Sequence, residues 1–259
     1  MTKVTDRLDS QNLINLARQQ YEQKQRTRIP PVVVKLPSGG AVYPKSSPLS
    51  AGTVEMRHMT AYEEDILTNS TYIANNIVFD KLLESLVVTP GVDVSDIILS
   101  DRDGLIVSAR IIGYGKNYPV TIIDPKTNKE LTRTVDLSAL TFRPFSLTPD
   151  DNGEFDYIIS ETKNKLKFKY ISAAESKQID PDRAVSQLME LCITEVDGNR
   201  DKNFISEFIK YEFVAGPSRE FREYLVNNLP GLNYNIEFEG EDGSTFTAGF
   251  QLGSDLFWF

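Results

Sequence analysis

Thr53-Val54-Glu55-Met56-Arg57-His58-Met59-Thr60-Ala61-Tyr62-Glu63 and Lys165-Leu166-Lys167-Phe168-Lys169-Tyr170-Ile171-Ser172-Ala173-Ala174-Glu175 share one pattern, an alternating strand that runs into a helix start. In the first stretch Thr60 stands as N-cap with Glu63 three residues later, the capping-box spacing, so Ala61 to Leu67 is predicted helical. The residues after each stretch match as well. Leu82-Leu83-Glu84-Ser85-Leu86-Val87-Val88 lines up with Leu188-Met189-Glu190-Leu191-Cys192-Ile193-Thr194, then comes an amphipathic helix, then a turn-linked hairpin ending near Leu137 or Leu252. Two copies are too few for a solenoid, so the sequence predicts an α+β chain of two similar lobes, each of short strands, helices and a β-hairpin. The expected organisation is a basic N-terminal helical arm over 1–31, a first lobe over 32–148 and a second over 149–259 ending in aromatics, with the boundary near 145 to 152.

Outward from those stretches, Ile29-Pro30-Pro31 ends the arm, because proline lacks an amide donor and restricts the residue before it. Val32 to Leu36 reads as a strand running into the turn Pro37-Ser38-Gly39-Gly40. Phe79, Leu82, Leu83 and Leu86 form one helical stripe, and a second helix covers Asp101 to Ile112. Tyr118 to Ile123 and Leu131 to Leu137 flank Asp124-Pro125-Lys126-Thr127-Asn128, the strongest hairpin signal in the chain. Phe155 to Ile159 with Leu166 to Ile171 predicts another hairpin. Helices are then expected over Asp182 to Val196, Asn203 to Tyr211 and Pro217 to Leu229, before a last hairpin of Tyr234 to Phe238 and Thr245 to Phe250.

The chain has 259 residues, 40% hydrophobic and 25% charged, the balance of a folded globular protein with a sizeable core. Its net charge of −9 opposes sequence-independent binding to nucleic acid. Charge is unevenly placed. Residues 1–35 hold seven basic side chains against three acidic ones, near +4, which leaves the body near −13. Such an arm suits a partner's acidic surface or the chain's own body. The first twenty residues show no apolar signal core and no uncharged apolar run approaches 18 residues, so neither secretion nor a membrane span is expected.

One cysteine, Cys192, and one histidine, His58, exclude an internal disulfide, a multi-thiolate zinc site and bis-histidine haem ligation. Asp101-Arg102-Asp103-Gly104 lacks the later ligands of a calcium loop and reads as a helix N-terminus; Glu63-Glu64-Asp65 reads as a solvated first turn. Gly113-Tyr114-Gly115 follows a helix and fails as a dinucleotide fingerprint. His58 reads as a strand residue, Cys192 as a small core residue, and Asp197-Gly198-Asn199-Arg200-Asp201 as a turn. A carboxylate hydrolase would have to use pairs such as Glu63 with Asp65 or Asp150 with Asp151, adjacent acids of a kind common on turns. No catalytic residue, metal ligand or cofactor is assigned. Asp255-Leu256-Phe257-Trp258-Phe259 places three aromatics at the chain end, where burial on the chain itself or on a partner is required.

Leu36-Pro37-Ser38-Gly39-Gly40-Ala41-Val42-Tyr43-Pro44, followed by the strand to Met59 and Thr60 to Asn69, resembles the T-even-type baseplate protein family of contractile-tailed phages. Weaker matches run through Leu82-Leu83, Asp103, Arg110-Ile111, Tyr114-Gly115 and Val135-Asp136-Leu137 to the Leu256-Phe257-Trp258 terminus, so the resemblance spans most of residues 32–259. It implies a non-enzymatic structural protein of the virion tail baseplate, made in the host cytoplasm and placed at the central hub. The family also includes a transient hub-assembly factor. Implied partners are other hub, spike or wedge proteins, with tail tube or tape-measure components as further ones. Relatives often carry paired cysteines in the two hairpin turns; here those turns read Asp124 to Asn128 and Glu239 to Gly243, so no zinc is implied. The candidate partner-binding residues are Leu36, Pro37 and Tyr43 of the first motif, Arg18, Arg26 and Arg28 of the arm, and Leu256, Phe257, Trp258 and Phe259 of the terminus.

Overall fold

The computed structural model describes residues 29–250 and 256–257; the expected helical arm over 1–28 lies outside them. Strand β1 (Val32–Lys35) pairs antiparallel with β2 (Thr53–Met56), Val34 facing Val54. The chain between them folds tightly on itself around a 3-10 turn, Pro48–Ala51. Gly40 and Gly52 permit this. Both have positive φ, and a Cβ on either would lie 2.5 Å from a backbone carbonyl oxygen, that of Ser50 or of Gly39.

Helices α1 (Ala61–Leu67), α2 (Ser70–Ala74), α3 (Val78–Leu86) and α4 (Leu99–Tyr114) come next, then the hairpin of β3 (Asn117–Ile123) and β4 (Glu130–Asp136). The second half runs β5 (Phe155–Ile158), β6 (Lys165–Phe168), α5 (Ala173–Ser176), α6 (Ala184–Cys192), β7 (Ile193–Val196), α7 (Lys202–Tyr211), α8 (Ala215–Asn227) and the hairpin β8 (Asn235–Glu239) with β9 (Thr245–Gly249). The fold is α+β; each half opens with a hairpin that leads into a capping-box helix and closes with a hairpin, with different helices between. The correspondence extends to single bonds. Arg57 N–H donates to Leu86 O and Lys169 N–H to Cys192 O, each at 2.9 Å. Thr60 N–H donates to Glu63 Oε2 at 2.8 Å and Ser172 N–H to Glu175 Oε2 at 2.9 Å, and Arg57 and Lys169 pair with those same two carboxylates.

Three features differ from the sequence expectation, the first being that β2 ends at Met56, so His58, expected in a strand, lies beyond it. The helix predicted through Val196 stops at Cys192, and Ile193–Val196 becomes the strand β7 beside β6. An apolar run there fits either period, and β-branched Ile193, Thr194 and Val196 favour the extended form once β6 offers an edge. Helix α2 is an addition to the expected elements; Asn69 caps it, its Oδ1 accepting from Thr71 N–H at 3.0 Å and Tyr72 N–H at 3.1 Å.

The buried apolar residues form one contiguous cluster that runs through both halves, with Leu82, Leu83 and Leu86 of α3 on one side and Phe155, Phe168 and Phe221 on the other. Polar ties also cross between them. Ala173 N–H donates to Ile97 O at 2.9 Å, and Asp80 of α3 pairs with both Arg102 and Lys177.

Glu63, read from sequence as solvated, has a fully buried side chain. It accepts from both Arg57 terminal nitrogens, from Ser85 Oγ at 2.7 Å and from Thr60 N–H and Oγ–H. Burial makes the carboxyl harder to ionise, but the Arg57, Ser85 and Thr60 hydrogen bonds outweigh it and hold its pKa below the ordinary 4.5. The network's contribution is therefore complete above that range and is lost as the pH falls through the lowered value. Glu63→Gln should cost about 3 kcal/mol at pH 7, because Arg57 loses its buried partner. Urea unfolding from pH 7 to well below pH 4 checks this: the wild type should keep its advantage over the variant down to the ordinary carboxylate range and lose it only below.

Candidate functional site

The motif 36–44 is fixed to the start of α4 by one carboxylate. Asp101, fully buried in the first turn of that helix, accepts from Ser38 N–H at 2.7 Å, from Ser38 Oγ–H at 2.6 Å and from Tyr43 OH at 2.7 Å. Ile98 N–H in turn donates to the Tyr43 oxygen at 3.2 Å. Pro37 lies flat against Gly104, where a Cβ would sit 2.5 Å from the proline Cγ. Burial drives the Asp101 carboxyl above the usual range despite its Ser38 and Tyr43 bonds, and raises the Tyr43 hydroxyl as well. This is the reverse of Glu63. Glu63 faces a guanidinium, whereas Asp101 is met by the neutral donors of Ser38 and Tyr43.

Leu36, Pro37 and Tyr43 thus lie buried in the chain's own interior, with Leu36 1% and Tyr43 6% exposed. Leu256 and Phe257 are likewise buried on their own chain. Arg110, inside α4, donates through Nε to Leu256 O at 2.7 Å and through Nη1 and Nη2 to Gly115 O at 2.6 Å and Asn117 O at 3.2 Å. The Phe257 ring packs near Phe79 and Tyr114, with centroids 6.0 and 6.2 Å apart. Self-burial, one of the two options for the aromatic terminus, is what these two residues adopt. Trp258, Phe259, Arg18, Arg26 and Arg28 lie outside the described residues. Sequence reasoning misses the anchoring role of Arg110; the signals there are the Arg110-Ile111 family match and one cation inside the largely apolar run Leu105 to Ile112.

The two hairpin turns meet. Lys126 Nζ donates to Asp242 at 3.1 Å and to Ser244 Oγ at 2.8 Å, Lys129 pairs with Glu241 at 3.1 Å, and Arg133 donates twice to Glu239 O. Charge pairs clasp them together. Among the described residues no group of three or more His, Cys, Asp or Glu is placed to hold a metal. The acids considered for hydrolysis are otherwise engaged or apart: Glu63 is buried, Asp65 lies exposed, Asp150 binds Lys167 at 2.9 Å and Asp151 pairs with Lys45 at 2.6 Å. Cys192 is buried and its thiol is pushed up to about 12 by that burial.

What remains open is the outer side of β1. Leu36 N–H donates to Gly52 O at 2.8 Å, continuing the ladder, so Val32 and Val34 carry the bonds to β2 and the Val33 and Lys35 amides point away from it. No strand covers that edge among the described residues. Val33 is 64% exposed, and Ile29, Val32 and Phe142 are exposed with it. Beside them runs a groove of about 300 Å³ lined by Val107, Ile111, Ile112, Leu140, Phe142 and Leu232. Unpaired main-chain donors next to apolar side chains form a template for an added strand.

A family model described as T4 bacteriophage base plate protein matches residues 29–247, and the chain belongs to that family. It is a phage baseplate protein with a structural role. No curated protein and no solved structure matches the chain. Among the described residues no helix is long and apolar enough to cross a membrane.

The Asp101 lock sets a stability expectation. Tyr43→Phe should cost about 2 kcal/mol by removing one bond to a charged acceptor, and Asp101→Ala more than that, since it strands the Ser38 and Tyr43 donors together. Denaturant midpoints of both variants against wild type measure the two losses.

Proposed function

We propose that the chain is a subunit of the central baseplate hub, retained in the mature tail, which acts by assembly and not by catalysis. The open edge of β1 is the observation that carries this reading. An extended segment of a neighbouring hub, spike or wedge protein adds there as a strand, pairing with the Val33 and Lys35 main chain while its side chains enter the groove. The resemblance of residues 36–69 to the T-even-type baseplate family, which includes hub subunits, supports the position. The basic arm, residues 1–28 with Arg18, Arg26 and Arg28, leads into this same edge at Ile29, and its charge opposes that of the acidic body. Trp258 and Phe259, which come after the self-buried pair, are the remaining candidates for contact with a neighbour.

Two measurements test this. Mass spectrometry of purified mature tails should recover the chain at a fixed copy number, whereas its presence only in assembly intermediates would make it a transient hub-assembly chaperone. Val33→Asp should leave the unfolding free energy within about 1 kcal/mol of wild type, the span of strand propensity at an exposed position. The same variant should be lost from tails. Normal incorporation of Val33→Asp would remove the β1 edge as the contact, and normal incorporation after deletion of residues 1–28 would remove the arm.

A further inference from the structure

The groove beside β1 does not end at Lys35. Lys35 and Phe142 line both it and a second hollow of about 600 Å³, whose walls continue along Leu36 and Pro37 on one side and Arg143, Phe145 and Leu147 on the other. Val32 to Pro37 and Leu140 to Leu147 are therefore the two banks of one channel. The second bank also has main chain to offer. Phe142 bridges Leu232 through its neighbours, Arg143 N–H donating to Gly231 O and Asn233 N–H to Thr141 O, each at 2.8 Å. In such a pair the N–H and C=O of Phe142 itself turn away from Leu232, as those of Val33 and Lys35 turn away from β2.

Charge divides the channel into two parts. Beside Val32 to Val34 its lining is uncharged and mostly apolar, with Val107, Ile111, Leu140 and Leu232. At the other end stand Lys35 and Arg143, and among the described residues no carboxylate lines either hollow. Neither cation has an ion pair among those residues. Asp103, the carboxylate that senses the Arg143 charge, senses Arg102 as well and pairs with neither. Glu55 lies on β2, across β1 from the channel. Arg143 is also held in place, because its guanidinium lies over Gly231, where a Cβ would come within 2.7 Å of Nη2. A strand residue opposite Lys35 shares its face of the sheet, and the residues before and after it turn to the Val34 face, toward Val107 and Ile111 of α4.

We propose that the strand added at β1 carries an acidic residue opposite Lys35, its carboxylate held between Lys35 and Arg143, with an apolar residue on each side of it entering the groove. This inference rests on the strand addition proposed above and names the chemistry of the added strand. The isotopically labelled full chain is titrated with acetyl-Thr-Thr-Val-Glu-Val-Thr-Thr-amide and with its Gln counterpart while the amide signals of Val33, Lys35 and Arg143 are followed. The Glu peptide should shift all three saturably and bind about fivefold more tightly than the Gln peptide, the effect of one cross-strand charge pair. Lys35→Gln and Arg143→Gln, both at exposed positions, should each reduce that preference and leave the affinity for the Gln peptide unchanged. Equal affinity for the two peptides, with the Val33 and Lys35 signals shifting alike, would overturn the acidic partner and leave the open edge standing. No shift at Val33 with either peptide would remove the edge and this inference with it.

Discussion

The buried carboxylate of Asp101 is the constraint on which the first half depends. It ties the loop between β1 and β2 to the start of α4 through three donors, two from Ser38 and one from Tyr43. Because β1 leads directly into that loop, the position of the strand edge relative to α4 is set by it. The groove between them has its walls fixed by this bond cluster and by the fit of Pro37 on Gly104. A carboxylate among neutral donors is costly to bury, and its raised pKa records that cost. The helix N-terminus beneath it offsets part of it.

The matching halves show how one local device takes two forms. Strand, cation and capping carboxylate recur as Arg57 with Glu63 and as Lys169 with Glu175. The forked guanidinium closes its network completely. The ammonium has one bonding atom and leaves room beside it, so a conservative exchange of charge changes a packed site into an open one.

Much of the fold is legible in the sequence because its signals are local. The capping box at Thr60, the stripe of Phe79, Leu82, Leu83 and Leu86, and the turn Asp124 to Asn128 fix elements through neighbouring residues, and the structure places helices and a hairpin there. The end of α6 is not legible, since Ile193 to Val196 are held extended by β6, a strand from well before α6 in the chain. The site is legible in part. The motif 36–44 stands out, but sequence gives no sign that Leu36, Pro37 and Tyr43 turn inward, because that depends on Asp101, far along the chain from all three. The open edge of β1 is hidden for a similar reason: an unpaired edge is a property of what the other described residues do not cover.

Membership in the baseplate family, together with an apolar edge left uncovered by the described residues, underlies our proposal of a body locked from within whose contacts with neighbours start at β1. Hydrogen–deuterium exchange on the isolated chain and on purified baseplates tests it most directly. The Val33 and Lys35 amides should exchange at least about tenfold more slowly in the baseplate, while Ser38, already held by Asp101, should be slow in both. Equal exchange at Val33 and Lys35 in the two samples would contradict the account.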